Sequence, residues 1–324
     1  MPELVIISGK GGTGKTSVTA SLAVLARPVV LADCDVDASN LHLVIEARIR
    51  RRYSFIGGQE ARIRSDRCVA CGKCKELCRF DAVCFDGPGN DFAAKTCRVD
   101  PLACEGCGVC VRFCPSRAVD LVPAEYGQWF ISDTRSGPMV HARLSPASGN
   151  TGKLVGQLRS KARELAADGR LIICDGSPGI GCPVIASLAG ADLALIVAEP
   201  TRSSLNDLAR VFYLCGHFGI ETMVCINKWD LNEFITRQLE IQAQAWRSPV
   251  VGRIRYDPTA IEALFHGKPV VEYDPAAGVS EDLRRLWEAL QSRLSALNAR
   301  PASSAASGPL PPATTQATLS PINK

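Results

Sequence analysis

One stretch near the amino terminus constrains the fold more than any other. Ser8-Gly9-Lys10-Gly11-Gly12-Thr13-Gly14-Lys15-Thr16 follows a short apolar run, Leu4–Ser8, and opens a helix-length segment, Gly14–Ala26. Glycines at this spacing let backbone N–H groups converge on phosphate oxygens, and the helix amino terminus adds positive potential. Gly9, Gly11, Gly12, Thr13 and Gly14 are therefore candidate phosphate-binding residues. Lys15 would reach the β/γ-phosphates, and Thr16 would ligate Mg²⁺. Such a loop needs a strand before it and a helix behind it, which commits the chain to an α/β architecture.

The rest of the apolar pattern agrees. Runs at Val29–Asp35, Leu171–Asp175, Leu193–Glu199, Thr222–Asn227, Val250–Ile254 and Pro269–Tyr273 are rich in Val, Ile and Leu without polar alternation. That predicts strands buried on both faces of a parallel sheet. Helix-length segments at Gly152–Ala167, Ser203–Gly216, Leu231–Trp246 and Pro258–His266 separate most of them, giving a doubly wound, mostly parallel α/β domain. A last helix, Ser280–Leu297, places Leu283, Leu286, Leu290, Leu294 and Leu297 on one stripe expected to pack on the core. Residues 299–324 are mainly Pro, Ser, Ala and Thr without periodicity and read as a disordered tail.

Charge narrows the partners. With 37 basic and 33 acidic side chains, the net +4 is too balanced to imply nucleic acid. A local exception, Arg48, Arg50, Arg51, Arg52, Arg62, Arg64 and Arg67, reads as a solvated, flexible edge. The longest apolar stretch, Val184–Ala198, is interrupted by Ser187, Gly190 and Asp192, so no membrane span is expected. Met1-Pro2-Glu3 leads straight into a strand, so the chain reads as leaderless and cytoplasmic.

The α/β pattern breaks between about Gln59 and Pro123, which hold ten of the 15 cysteines. Cys68-x2-Cys71-x2-Cys74-x3-Cys78 recurs 36 residues later as Cys104-x2-Cys107-x2-Cys110-x3-Cys114, with Gly72/Gly108, Ala82/Ala118 and Val83/Val119 also repeated. This is the bacterial two-cluster ferredoxin spacing, in which each [4Fe-4S] cluster takes three thiolates from one run and the fourth from the other. One cluster would use Cys68, Cys71, Cys74 and Cys114; the second would use Cys104, Cys107, Cys110 and Cys78. Zinc is the competing occupant, because paired C-x2-C elements also bind it. Arg79 stands where the first run would usually carry proline, and Cys84 and Cys97 read as spare thiols. The expected division is residues 1–58 and 124–298 as one discontinuous nucleotide-binding domain, with 59–123 an inserted small α+β ferredoxin-like domain.

Lys10 makes the phosphate loop unusual, and with it the sequence resembles the MinD, ParA and nitrogenase iron-protein superfamily of P-loop ATPases with a deviant Walker A loop. Asp33-Cys34-Asp35-Val36-Asp37, followed by Asn40-Leu41, resembles the first switch, with Asp35 matching the carboxylate that orients the attacking water. Asp175-Gly176-Ser177-Pro178-Gly179 resembles the Walker B aspartate and second switch. Glu199-Pro200-Thr201 and Gly267-Lys268-Pro269-Val270 continue the series. The resemblance implies Mg²⁺-dependent ATP hydrolysis by Lys10, Lys15, Asp35 and Asp175, with Gly179 and Asn227 also at the nucleotide. It further implies an ATP-dependent homodimer in which Lys10 reaches the partner's nucleotide. Asn227-Lys228-Trp229-Asp230 leaves GTP open, since Asn-Lys-x-Asp reads guanine in many GTPases; the resemblance makes Asn227 an adenine contact and ATP the preferred substrate.

The whole arrangement resembles MinD-superfamily ATPases with an inserted ferredoxin domain. It implies nucleotide state coupled to electron transfer or metallocofactor assembly, with an unidentified redox or assembly partner. An ATP-gated cluster or metal carrier, and a positioning switch with redox input, are the alternatives. Cys182, seven residues past Asp175, reads as a buried small hydrophobe.

Overall fold

A strand with no polar alternation needs apolar cover on both faces, and the order of elements supplies it. The computed structural model describes residues 2–145 and 149–298; the expected tail at 299–324 lies outside them. The strands are β1 (Glu3–Ser8), β2 (Val29–Asp33), β3 (Arg48–Ile63), β4 (Val83–Gly87), β5 (Thr96–Val99), β6 (Val119–Thr134), β7 (Gly137–Leu144), β8 (Leu171–Pro178), β9 (Leu193–Ala198), β10 (Glu221–Asn227) and β11 (Val250–Ile254). The helices are α1 (Lys15–Ala26), α2 (Leu41–Val44), α3 (Lys73–Glu76), α4 (Val109–Arg112), α5 (Thr151–Leu165), α6 (Cys182–Leu188), α7 (Arg202–His217), α8 (Glu233–Ala245), α9 (Thr259–Phe265), α10 (Val270–Tyr273) and α11 (Gly278–Asn298).

Nine strands form one sheet in the order β11-β10-β9-β1-β8-β2-β7-β6-β3. Pairing is parallel from β11 to β7 and antiparallel from β7 to β3. Alternate residues of β1 enter opposite cores: Val5 and Ile7 pack with α5, α6, α7 and α8, whereas Leu4 and Ile6 pack with α1 and α11. The α11 stripe buries Leu283, Leu286, Leu290 and Leu294, and Leu297 packs half-buried beside them. Among the described residues no helix is long and apolar enough to cross a membrane.

Three expectations need correction. Pro269–Tyr273, read as a strand, forms the short helix α10, where adjacent Val270 and Val271 both face the α1–α11 core. Neighbouring residues on one side are incompatible with strand alternation. The arginine run is an ordered edge strand: Arg48, Arg50, Arg51 and Arg52 lie in β3, exposed, where charge blunts an open sheet edge. Cys182 is exposed at the start of α6; Gly181 before it leaves the turn, and not the core, as its surroundings.

Sequence reasoning also missed the antiparallel side of the sheet. β3 and β6 are 16 residues each and pair from Arg48↔Asp133 to Ile63↔Val119. The ribbon therefore continues through positions 59 and 123 and carries the cysteine-rich module at its far end. Its register shifts at Phe55/Ile56 and Ile56/Gly58, which bends such a pair locally. At the β6–β7 turn Gly137 has φ 136°, and a Cβ there would collide with the Val29 carbonyl, so only glycine lets the hairpin approach β2.

A buried ion pair locks the opposite end of the central strands. Glu3 accepts from Arg159 Nε at 2.6 Å and from Arg163 Nη2 at 2.7 Å, while Arg159 Nη1 donates to the Ala186 and Ala189 carbonyls at 2.7 Å. β1, α5 and the end of α6 are thus tied at one point. Arg159→Met should lower unfolding free energy by about 3 kcal/mol, since the buried Glu3 loses the more deeply buried of its two arginines and keeps only Arg163. Adding Glu3→Met should restore most of the loss, read as the urea midpoint of each variant.

Candidate nucleotide site and cysteine module

The carboxyl ends of β1, β2, β8, β9 and β10 converge, which is where open α/β sheets bind ligands. The phosphate loop leaves β1 and enters α1 through Gly14, whose φ is 86°. A Cβ at Gly14 would collide with the Asn227 amide nitrogen, which donates to the Thr13 carbonyl at 2.8 Å. Asn227, at the end of β10, therefore holds the loop as well as flanking it.

Asp175 organises the centre. Its Oδ1 accepts from Lys15 Nζ and Thr19 Oγ1, each at 2.9 Å, and its Oδ2 accepts from Thr16 Oγ1 at 2.8 Å. Lys15 Nζ also reaches Asp35 Oδ2 at 3.4 Å. Burial pulls the Lys15 ammonium toward neutrality, but the Asp175 and Asp35 charges outweigh it and its pKa is raised. Asp33 is fully buried beside Asp175 and is pushed up to about 7, against the pull of its Ser39 hydrogen bond. Burial likewise raises Asp35, with Lys15 opposing. The Asp35 N–H donates to Asp33 Oδ1 at 3.2 Å, so Asp33 shapes the turn that presents Asp35.

The two switch segments touch directly. Cys34 N–H donates to the Asp175 carbonyl at 2.8 Å, and Ser177 Oγ donates to the Cys34 carbonyl at 2.9 Å. Gly179 N–H donates to the Ser8 carbonyl at 2.8 Å, pinning the second switch to the root of the phosphate loop. Lys10 lies apart from Lys15: its Nζ meets Glu199 Oε1 at 2.7 Å and Thr201 Oγ1 at 2.9 Å. Glu199 also pairs with Lys228 at 3.3 Å; burial raises the Glu199 pKa, but the two lysines lower it further.

Of the residues expected at this site, Lys15, Thr16, Asp35 and Asp175 are in mutual contact, Asn227 and Gly179 brace the loop, and Lys10 stands on the Glu199 side. Sequence reasoning missed Thr19 and Lys228. Thr19 was legible in principle, since it lies one helical turn beyond Lys15 on the face that meets Asp175.

The cysteine module shows its repeat in its hydrogen bonds. Arg64 N–H donates to the Ala118 carbonyl and Asp100 N–H to the Ala82 carbonyl, each at 2.7 Å. Those four positions exchange under the repeat offset, so the halves are wrapped around one another. α3 and α4 both start after a left-handed glycine, Gly72 (φ 76°) and Gly108 (φ 74°). Cys68, Cys71, Cys74 and Cys114 line one cavity, together with Cys97. Cys97, outside the repeated runs, is buried with Cys68, Val83 and Ala118, and burial beside Cys74 pushes it up to about 12.

In the other set, burial and then the Cys104 and Cys107 thiols raise the Cys110 pKa, while Cys78 packs half-buried on the Cys68–Cys97 cluster. Backbone N–H groups donate to sulfur at Ala61→Cys104 (3.4 Å) and Ala118→Cys114 (3.2 Å). Among the described residues no three His, Cys, Asp or Glu side chains are grouped so as to hold a single metal ion.

Comparison with known proteins agrees with this geometry. An uncharacterised protein of Methanocaldococcus jannaschii is 36% identical over 234 residues, spanning 71% of this chain and 79% of that protein. Over 56 residues, 17% of this chain, the sequence is 43% identical to a component of the Na⁺-translocating ferredoxin:NAD⁺ oxidoreductase complex of Acetobacterium woodii, covering 15% of that protein. In fold, the chain is similar to the septum site-determining protein MinD of Pyrococcus horikoshii, solved with Mg-ADP, at a TM-score of 0.57 and 17% identity over 91% of this chain and 98% of that one. Residues 4–270 match the CobQ/CobB/MinD/ParA nucleotide binding domain, and the chain belongs to that family.

Proposed function

We propose that the chain is a Mg²⁺-dependent ATPase whose cysteine module holds two [4Fe-4S] clusters, with nucleotide state coupled to electron transfer or metallocofactor assembly on a partner protein. The observation that supports this most directly is the position of β2. Its carboxyl end leads into Asp35, its edge pairs with β7, and β7 pairs with β6, which begins in the cysteine module. A displaced first switch has a hydrogen-bonded route to the cysteines, with no flexible linker between.

Phosphoryl transfer needs positioned cations, a metal and an oriented water. Lys15 supplies the cation. Thr16 Oγ, held by Asp175, is the oxygen ligand for Mg²⁺, a hard cation that prefers such donors. Asp35 is the carboxylate placed to orient water. Adenine is favoured over guanine on the family resemblance, in which the asparagine at this strand end, Asn227 here, contacts adenine. For Lys10 to act on a partner's nucleotide in an ATP-dependent homodimer, it must exchange Glu199 for phosphate.

The thiols fit clusters better than zinc. Paired C-x2-C elements can hold zinc, but two identical C-x2-C-x2-C-x3-C runs, Cys68–Cys78 and Cys104–Cys114, are the spacing of two-cluster ferredoxins. The exchanged hydrogen bonds of the two halves agree with a fourth ligand crossing over in each set, giving Cys104, Cys107, Cys110 and Cys78 as the second. N–H···S bonds stabilise thiolate charge on such ligands. When bound, the clusters would supply one-electron redox chemistry.

Lys15→Ala should reduce ATP turnover by at least about 10²-fold, since it removes a cation from the developing phosphate charge. Asp35→Asn should retain ATP binding and lose turnover; preferential binding of GTP in competition would overturn the base assignment. The purified protein should be brown, with about eight irons per chain. Cys71→Ser should lower iron content, while Cys215→Ser, buried in the α/β core, should not. Stoichiometric zinc without visible absorbance would exclude the clusters.

A further inference from the structure

The antiparallel side of the sheet has two different faces. Trp129 and Ile131 of β6 and Val140 of β7 join the core that α5 covers. Their alternates Gln128, Phe130, His141 and Arg143 point the other way, as strand geometry requires, and line a cavity of about 620 Å³ with Arg52 of β3. That volume is typical of small-molecule sites. Its remaining wall is the segment that follows Asp35, including Asp37, Asn40 and His42. Asp37 and Asn40 belong to the segment that resembles the first switch, whereas Arg52, Gln128, Phe130, His141 and Arg143 have no task in the nucleotide site or the cysteine module.

The wall is cationic and organised. His42 stacks on His141 and His141 on Phe130, each with centroids 5.1 Å apart, and the Arg52 guanidinium caps Phe130 at 5.6 Å. A guanidinium held over a ring by cation–π attraction keeps its N–H groups available for an acceptor. Arg143 adds a second guanidinium, and it helps hold both imidazoles toward their neutral forms after burial has done so. The one acid among the lining residues is Asp37. Arg50 and Arg62 on the ribbon meet Asp133 (3.7 Å) and Glu60 (3.6 Å), whereas among the described residues Arg52 and Arg143, like Arg48 and Arg51, meet no carboxylate within 4 Å.

We propose that this cavity is a second ligand site, taking a small polar molecule that carries a carboxylate or phosphoryl group, held by Arg52 and Arg143. The planar fork of a guanidinium matches the paired oxygens of a carboxylate or phosphoryl group, and charge-assisted bonds to them are the strong ones. The phosphate loop offers a competing oxyanion site, so the test is made on the full chain with saturating Mg-ADP and repeated without nucleotide. Either condition reads the cavity even if the chain proves not to hydrolyse ATP.

The chain has four histidines, and two line the cavity, so their ring NMR signals report on it, assigned by His217→Gln and His266→Gln. Succinate and inorganic phosphate serve as probes and separate the carboxylate from the phosphoryl ligand. One of them should shift the His42 and His141 signals saturably and leave His217 and His266 in place, with or without Mg-ADP. Arg52→Gln and Arg143→Gln should each weaken that binding about tenfold, equivalent to about 1.4 kcal/mol. Both residues are exposed, and unchanged circular dichroism verifies each variant's fold. Absence of saturation by both probes up to about 10 mM, weaker than a 1 mM site worth about 4 kcal/mol, overturns the proposal. So does binding that survives both substitutions.

Discussion

The site depends on one carboxylate. Asp175 is 1% exposed and accepts from Lys15, Thr16 and Thr19, while its own backbone carbonyl accepts from Cys34. Removing it would leave the buried Lys15 with only the more distant Asp35 carboxylate, at 3.4 Å, as its counter-charge. It also sets the protonation of its neighbours. Three carboxylates surround a single ammonium, and with Asp33 pushed up to about 7 by burial and by Asp175, the extra negative charge is partly relieved by a proton. The phosphate loop, the first helix and the segments carrying Asp35 and Asp175 thus share one electrostatic centre.

How much of this was legible follows from what each signal encodes. The parallel strands were legible because burial on both faces writes itself as unbroken Val, Ile and Leu. The phosphate loop was legible because glycine spacing and a strand–helix context are both required by its geometry. β3 and β6 were not, because a ribbon with one buried face interrupted by bulges keeps neither a continuous apolar run nor a clean alternation. Arg48 to Arg52 read as a solvated, flexible edge for that reason, although pairing with β6 decides their conformation. Pro269–Tyr273 failed differently: five residues are too few to distinguish periods of 2 and 3.6.

Within the module, the spacing of the eight cysteines pointed to two thiol sets, but Cys97 was hidden. It sits at the position that the repeat equates with Ala61, and both are buried. The repeat alone gives no reason why one half has a thiol there and the other a methyl group. Only the packing of Cys97 against Cys68 and Cys74 shows that the two halves surround their sulfurs differently, an asymmetry that makes the two thiol sets chemically unequal.

The arginine-rich β3 has a consequence for the time before the fold exists. During synthesis β3 leaves the ribosome well before β6, because the whole cysteine module lies between them. Until then it is a long strand with two open edges, the kind of segment that recruits strands from other nascent chains. Four arginines in its first five residues make such copies repel one another. The charge that blunts the finished edge therefore also protects the unfinished one, and the strand can wait for its own partner.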